Sequence, residues 1–361
     1  MKNSIAIAAL TLTLFSVPIL ARSELSPQSY EAGHKLQRDQ MPAGYNHPGG
    51  INTVGWNVFV NGSFLYWRSS QDGMTLAIPQ ANPAVGFSDT IIYQDFNYKS
   101  GFKIAAGFKA EEYDDWGGKV EYTRLHGTHS NHAVAPNLGT GFLNMEPWIN
   151  DVQGNGVRAD SFGSKWSIDL DVIDVGLFRT YYVGRHLVFQ TFFGGRGGWL
   201  DQSLSFDVQI PTNPLPNPGR STTTSDSWFL GTKGSIDTNW ILGYGLRLVG
   251  NAEISFFFQR YKLRHTETEV DNITENGVNA NLTVRFLRPT LGLQLGMGWG
   301  TYLGNQTAHI DFEATYDLMT WWAQNMLRML ADITNITRSG NEGQPGNLYY
   351  QGLTLRGQLH F

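Results

Sequence analysis

In several apolar stretches of this sequence, charged side chains occupy alternate positions, as Asp311 and Glu313 do on either side of Phe312. Alternate positions of a β-strand point to opposite faces, so these charges share one face and the apolar residues share the other. On the inner face of a closed sheet, such charges either line a water-filled passage or pair with one another. The residues predicted to face inward are the basic Lys103, Lys109, Lys119, Arg196, Arg247, Arg285, Arg288 and Arg356, and the acidic Glu121, Asp169, Asp171, Asp174, Glu253, Asp311, Glu313 and Asp317.

The basic and acidic members of this set are equal in number, so the sequence predicts no preference for cations or anions. Ten or twelve strands would enclose an interior between one that side chains fill and one that leaves a channel. Two alternatives stay open: a narrow pore tuned by these charges, and a salt-bridged interior that closes itself. Equal numbers are expected under both, because an unpaired buried charge is costly.

Ten alternating stretches between Gly55 and Phe361 are predicted to be strands. Short connections at 112–115, 183–185, 249–251 and 304–306 alternate with long ones at about 69–97, 128–163, 201–236, 265–281 and 322–347. The predicted fold is therefore all-β: a transmembrane antiparallel β-barrel of about ten strands, or twelve if the loops hide a hairpin, with short periplasmic turns and long outer loops. The predicted closing strand has an apolar face formed by Tyr349, Leu353, Leu355, Leu359 and Phe361.

Two predicted strands change phase along their length. In the fourth, Trp166 and Ile168 are apolar at even positions, whereas Val175 is apolar at an odd one. A β-bulge near Val172 would restore a single apolar face. In the eighth strand, the same argument predicts a bulge beside Pro289, where proline is tolerated.

Large aromatic residues near the strand ends predict two interfacial belts. With the first strand running outward, one belt lies at the periplasmic rim and the other at the outer rim. The periplasmic belt contains Trp56, Trp116, Tyr181 and Trp299, and the outer belt contains Tyr66, Trp166, Trp199, Trp240 and Trp322.

The N-terminal residues 1–23 have the pattern of a secretory signal, with Lys2, an apolar core and a small-x-small site at Ala21–Ser23. Residues 24–54 are polar and are predicted to form a periplasmic segment or a plug, and residues 55–361 the barrel. The chain is 13% aromatic but only 41% hydrophobic, which suits a sheet with one apolar face. Its lack of cysteine excludes disulfides and thiolate metal sites.

Other chemistry has weak support in the sequence. His126, His129 and His132 recur every three residues, but strand alternation places His126 and His129 on opposite faces, so we expect no metal site. There is no Gly-x-Ser-x-Gly elbow, and we expect neither an enzyme nor a cofactor. Helical spacing of apolar residues over 319–331 predicts a short amphipathic helix in the last outer loop.

Several stretches resemble the Legionella-type major outer membrane protein family, whose relatives include the MOMP-like proteins of environmental chlamydiae. This resemblance implies an outer-membrane barrel with porin and surface-antigen roles. The cysteines that cross-link the envelope in the best-known members are lacking here. The stretches that carry the likeness are residues 56–67, 116–126, 193–202, 316–325 and 352–356.

We therefore predict an outer-membrane porin that passes small hydrophilic solutes or ions. The alternative is a structural or adhesive surface barrel with a closed lumen and outer loops that contact a host or the envelope. The expected partners are outer-membrane lipid, lipopolysaccharide and the barrel-assembly machinery. A homo-oligomer and a host-surface contact stay open, and nucleic acid is not expected, because the sequence has no basic cluster of the kind that binds it.

Overall fold

A closed antiparallel barrel of ten strands forms the wall of the molecule in a computed structural model. The described residues are 51, 57–80, 90–110, 115–136, 141–145, 148–149, 158–184, 186–210, 217–268, 279–304, 307–329 and 345–361. The strands are β1 (Val58–Gln71), β2 (Thr75–Gln80), β3 (Ile92–Tyr93), β4 (Tyr98–Ala110), β5 (Trp116–Val134), β6 (Phe142–Asn144), β7 (Arg158–Ala159), β8 (Ser161–Val183), β9 (Leu187–Ile210), β10 (Asn217–Gly243), β11 (Leu246–Thr268), β12 (Asn279–Leu303), β13 (Ala308–Asn325) and β14 (Gly346–His360).

The barrel strands follow one another around the wall in chain order, and β1 closes the sheet by pairing with both β4 and β14. Closure leaves no edge strand with unpaired backbone groups. The short strands β2, β3, β6 and β7 form a separate four-stranded sheet. Ten strands in the predicted arrangement confirm the fold class.

One of the predicted short turns was misplaced. The β10–β11 connection consists of Tyr244 and Gly245, both with positive φ, as in the two-residue turns that join twisted strands. Residues 249–251, where the sequence predicted the turn, lie inside β11. No extra hairpin joins the barrel within the described residues, because Asp226–Lys233 lies within β10 and Ile92–Tyr93 pairs with β2 outside the barrel.

The predicted bulge in β8 is absent. Its register is continuous with β9 from Ser161 to Val183 and with β5 from Ser161 to Arg179, so parity alone decides which face each residue takes. Even-numbered residues face inward throughout, and Trp166 is fully buried there instead of joining the outer belt. Asp169 and Asp171 consequently lie on the outer face, which corrects their assignment to the lumen.

The bulge beside Pro289 is absent in the same way, because β12 keeps one register with β11 from Asn279 to Trp299. Leu282 and Phe286 turn inward and pack near Tyr261. Arg285 is exposed on the outer face, so its assignment to the lumen was also wrong.

Both predicted bulges were wrong because the two faces of each strand exchange polarity along its length. Within the membrane, lipid takes the apolar face and the lumen takes the polar one. At the end of the barrel that carries the long connections, the inner face of β8 packs into an apolar core, while its outer face is polar. The two faces exchange polarity at that height, and the chain needs no extra residue to do so.

Most of the predicted belt residues lie on the outer face. Tyr66 stacks on Tyr98 at 5.1 Å between ring centroids, and Tyr181 stacks on Phe189 at 5.0 Å. Trp116, Trp199 and Trp299 are exposed there and Trp322 is partly exposed, whereas Trp56 lies outside the described residues. Trp240 is also exposed, but it is opposite Leu187 beside the β10–β11 turn, at the other end of the barrel from its predicted rim.

Some predictions concern residues that lie partly or wholly outside the described part of the chain. Residues 1–23 and nearly all of 24–54 lie outside it. The predicted helix over 319–331 was wrong at its start, since β13 continues to Asn325, and only residues 327–329 are helical among those described. The described residues contain no helix long and apolar enough to cross a membrane.

The unbroken register of β8 predicts that substitutions at two neighbouring residues change the stability of the barrel by very different amounts. Replacing Ile168 by Asn should destabilise the barrel by about 3 kcal/mol, because the side chain is buried in an apolar core. Replacing the outward Asp169 by Ala should change stability by less than about 0.5 kcal/mol. Urea unfolding of the refolded protein, followed by tryptophan fluorescence, measures both; a larger loss for the Asp169 variant would reverse the assigned faces.

Candidate functional site

Four charged side chains meet at mid-height on the inner face, one from each of four successive strands. Asp174 comes from β8, Arg196 from β9, Lys233 from β10 and Glu253 from β11. We call these residues the central cluster. Strand alternation directs all four inward, and the register sets Arg196 directly opposite Asp174.

The central cluster is fully cross-linked. Arg196 donates through Nε and Nη2 to the two oxygens of Asp174, at 2.8 and 2.9 Å, and through Nη1 to Glu253 at 3.0 Å. Lys233 Nζ lies 2.8 Å from a carboxylate oxygen of Asp174 and 2.8 Å from one of Glu253. Each cation thus holds both anions, including one on a strand that is not its neighbour.

The charges of the central cluster cancel, with two cations against two carboxylates. Arg196, Asp174 and Lys233 are each at most 5% exposed. Removing such charges from water is costly and is offset only by close pairing with good geometry, which this arrangement provides. The cluster therefore presents no uncompensated charge to a passing ion.

A second ionic group, the lower cluster, lies towards the end of the barrel with the short turns. It consists of Arg247, Asp311, Glu313 and Arg356, from β11, β13 and β14. Arg247 donates to both carboxylates, including a 2.6 Å bond from Nη2 to Asp311, and Arg356 donates to Glu313. This group also sums to zero charge.

A glycine on the intervening strand makes the lower cluster possible. Arg247 on β11 reaches Asp311 on β13 by crossing the inner face of β12. At the crossing stands Gly298, where an added Cβ would lie 2.9 Å from the Cζ atom of Arg247. Any side chain at this position would compete with the guanidinium for the same space.

Above the two clusters, Asp317 marks the transition from the ionic to the apolar interior. Thr354 Oγ1 donates to Asp317 at 2.9 Å and accepts from Trp67 Nε1 at 3.0 Å. Lys103 lies 3.9 Å from the Asp317 carboxylate and 4.7 Å from the centre of the Trp67 ring. The Lys103 ammonium group therefore lies close to both the Asp317 carboxylate and the Trp67 indole ring.

An apolar layer fills the interior towards the long connections. The Phe229 and Phe257 rings lie 4.7 Å apart, and Trp321 contacts them at 5.4 and 5.3 Å. Tyr350 continues the layer to Trp67 on β1, so that rings from opposite sides of the wall meet. Residues of the small sheet, such as Leu76 and Leu143, belong to the same buried core, and so do Met145 and Trp148, which follow β6.

At the other end, the described residues leave part of the interior unfilled. A cavity of about 180 Å³ lies towards the short turns, and the lower cluster forms part of its lining. Lys109, Lys119 and His360 also line it, together with Phe59 and Phe192. The described part of the chain therefore forms a vestibule at one end, an ionic layer in the middle and an apolar layer at the other end.

The family comparison decides what kind of barrel this is. The model of the family described as "Legionella pneumophila major outer membrane protein precursor" matches residues 52–361, which is the whole barrel. The chain belongs to this family. A comparison with curated proteins found no significant match.

Among solved structures, the outer membrane protease OmpT from Escherichia coli matches with a TM-score of 0.41 at 10% identity, covering 87% of this chain and 100% of its own. The toluene transporter TodX of P. putida matches with a TM-score of 0.32 at 10% identity, covering 89% of this chain and 95% of its own. Family membership and the closed barrel together place this protein in the outer membrane.

The structure brings most of the predicted inner residues together. Asp169, Asp171 and Arg285 are the exceptions and lie outside, for the reason given above. Those on the inner face are Lys103, Lys109, Lys119, Glu121, Asp174, Arg196, Arg247, Glu253, Arg288, Asp311, Glu313, Asp317 and Arg356. The closing strand carries Leu353, Leu355 and Phe361 exposed and Tyr349 and Leu359 partly exposed on its outer face.

Sequence reasoning missed Lys233, because it assigned residues 201–236 to an outer loop. The signal was present: Ser227, Phe229, Lys233 and Ser235 share odd parity and all are buried inside. His126 lies outside with Nε2 2.8 Å from Asp171, whereas His129 is buried inside against Trp166, so these two histidines lie on opposite faces.

The lower cluster predicts an asymmetric response to mutation. Arg247→Met should destabilise the barrel by about 3 to 5 kcal/mol, because it leaves buried carboxylates with too few cations. Adding Asp311→Asn to the same chain should restore most of that loss, since the remaining Glu313 carboxylate is balanced by Arg356. Denaturant unfolding in lipid vesicles measures the free energy of unfolding for both chains.

Gly62→Ala is the matched control for these measurements, because a Cβ at position 62 meets nothing within 4 Å. Its free energy of unfolding should equal that of the unchanged protein. If the double variant were less stable than Arg247→Met alone, charge compensation would not be what stabilises the cluster.

Proposed function

We propose that this protein is a surface barrel of the outer membrane with a closed lumen, whose part beyond the membrane carries its structural or adhesive role. The observation that carries the proposal is the stacking of a charge-neutral ionic layer below an apolar layer inside the same wall. Family membership supports the location and the barrel, while the closed interior supports a role other than passage.

The ionic layer argues against conduction because its charged groups are already paired with one another. A conducting pore binds ions weakly at several sites, so that they enter and leave. Arg196 and Lys233 each hold two carboxylates at 3.0 Å or less, and both are nearly fully buried. A solute would have to break several of these pairs to pass.

The apolar layer is a second barrier of a different kind. Phe229, Phe257 and Trp321 are each at most 2% exposed and touch one another across the interior. Constrictions lined by apolar side chains exclude water, and hydrated solutes with it. The two layers together would stop both ions and small polar molecules.

The outer part of the wall is larger than spanning requires. A strand needs about 9 to 11 residues to cross the hydrocarbon core. The strands β8 to β12 have between 23 and 27 residues, whereas β1 and β4 have 14 and 13. One side of the barrel thus rises well beyond the membrane, and this surface is available for contact with the envelope or a host.

A porin is the second candidate, and the vestibule favours it. The cavity of about 180 Å³ at the short-turn end is lined by Lys109, Lys119 and Arg356, as expected of the entrance to a passage. Under this alternative, the ionic and apolar layers would rearrange to open. Neither candidate requires catalysis or a cofactor. The assembly machinery, a homo-oligomer and host contact stay predictions for both.

Planar bilayer recording separates the two candidates. The refolded protein should give no stepwise conductance, and Glu253→Gln should also be silent, because the apolar layer still closes the lumen. Folding is checked beforehand by the slower migration of the heated sample on a gel. Stepwise conductance in the unchanged protein, altered in size or selectivity by Glu253→Gln, would overturn the closed barrel in favour of the porin.

A further inference from the structure

Four basic side chains gather on the outer face of two neighbouring strands. Arg260, Lys262 and Arg264 follow one another at alternate positions of β11, and Arg285 faces Arg260 from β12. Lys262, Arg264 and Arg285 are exposed and Arg260 is partly exposed. We call these residues the basic patch.

The basic patch lacks internal compensation. Within the described part of the chain, none of its members forms an ion pair, and Arg260 Nε has no hydrogen-bond partner. Asp226 on β10 stands opposite Lys262 without pairing to it. By contrast, the outer-face Arg220 is paired to Asp207 at 2.6 Å. Like charges directly opposite one another destabilise a sheet. An anion bound between Arg260 and Arg285 would therefore relieve the repulsion between the two guanidinium groups.

An apolar row lies directly below the patch. Two residues closer to the membrane than Arg260 and Arg285, the side chains of Leu230, Phe258 and Leu287 stand side by side on three strands. They are 63%, 42% and 69% exposed. Trp228, on the level of Arg260, contacts Phe258 at 5.9 Å between ring centroids. An interfacial tryptophan on the level of the lowest cations indicates that the patch begins at headgroup depth.

We propose that the basic patch binds the phosphate groups of lipid A, the diphosphorylated anchor of lipopolysaccharide, whose acyl chains lie on the Leu230, Phe258 and Leu287 row. Arginine pairs of this kind bind phosphate through two parallel hydrogen bonds. The cations extend over three pairing levels, from Arg260 to Arg264, which suits two phosphates better than the single phosphate of a phospholipid.

The neighbouring strands confine this site to β11 and β12. On the pairing level of Lys262, the outer face of β8, β9 and β10 carries Asp169, Asp201 and Asp226 in a row. These carboxylates repel a phosphate, so the lipid is directed to the cationic strands. The inference concerns the outer face only and holds whether or not the lumen conducts.

Native mass spectrometry of the full chain in detergent tests the proposal. Diphosphoryl lipid A should bind at one copy per barrel, and Arg260→Gln with Arg285→Gln should weaken it at least about tenfold, the effect of losing charged hydrogen bonds to phosphate. Arg220→Gln is the control, because it removes one arginine charge from the outer face away from the patch. Its affinity should equal that of the unchanged protein.

Three further ligands identify what is recognised. Dephosphorylated lipid A and phosphatidylglycerol should each bind at least tenfold more weakly, and inorganic phosphate at millimolar concentration should not displace lipid A. Equal binding of the dephosphorylated form, equal binding of phosphatidylglycerol, or unchanged affinity in the double variant would each overturn the proposal. Should the double variant not fold, Lys262→Gln, an exposed single change, should still weaken binding severalfold, and an unchanged affinity there would count against the site.

Discussion

The hydrogen-bond register of the wall runs without interruption through β8 and β12, and the rest of the structure depends on it. Once the register is fixed, each residue's parity decides whether it points into the barrel or away from it. The chemistry at each position then follows from the surroundings at that height. Asp174 and Trp166 share one inward face although one belongs to an ionic layer and the other to an apolar core.

The interior combines two ways of filling a small barrel. Near the middle, opposite charges neutralise each other across neighbouring and next-neighbouring strands, and the space for this comes from small residues such as Gly298. Further out, aromatic rings such as Phe257 and Trp321 pack against one another. In both layers, inward side chains reach partners that are two strands away, as Arg247 reaches Asp311.

Much of this architecture follows from the sequence. Alternation gave the ten strands and most inward charges correctly, because lipid on one side and a polar interior on the other impose a single pattern within the membrane. It failed for Asp169, Asp171 and Arg285, where the strand leaves the membrane and the two faces exchange surroundings. The partners of Arg196 and Arg247 could not be read in advance, since they depend on which strands face each other at a given height.

The ionic pairs also bear on the order in which the barrel assembles. Arg196 and Asp174 are 22 residues apart, but Arg247 and Asp311 are separated by 64 residues and by an entire intervening strand. Contacts of such sequence separation form late, after the loops between them have closed. Until β13 docks, the Arg247 guanidinium lacks the Asp311 and Glu313 carboxylates, whose pairing offsets the cost of removing it from water. Assembly of the last strands is therefore the step at which Arg247 exchanges water for its carboxylate partners.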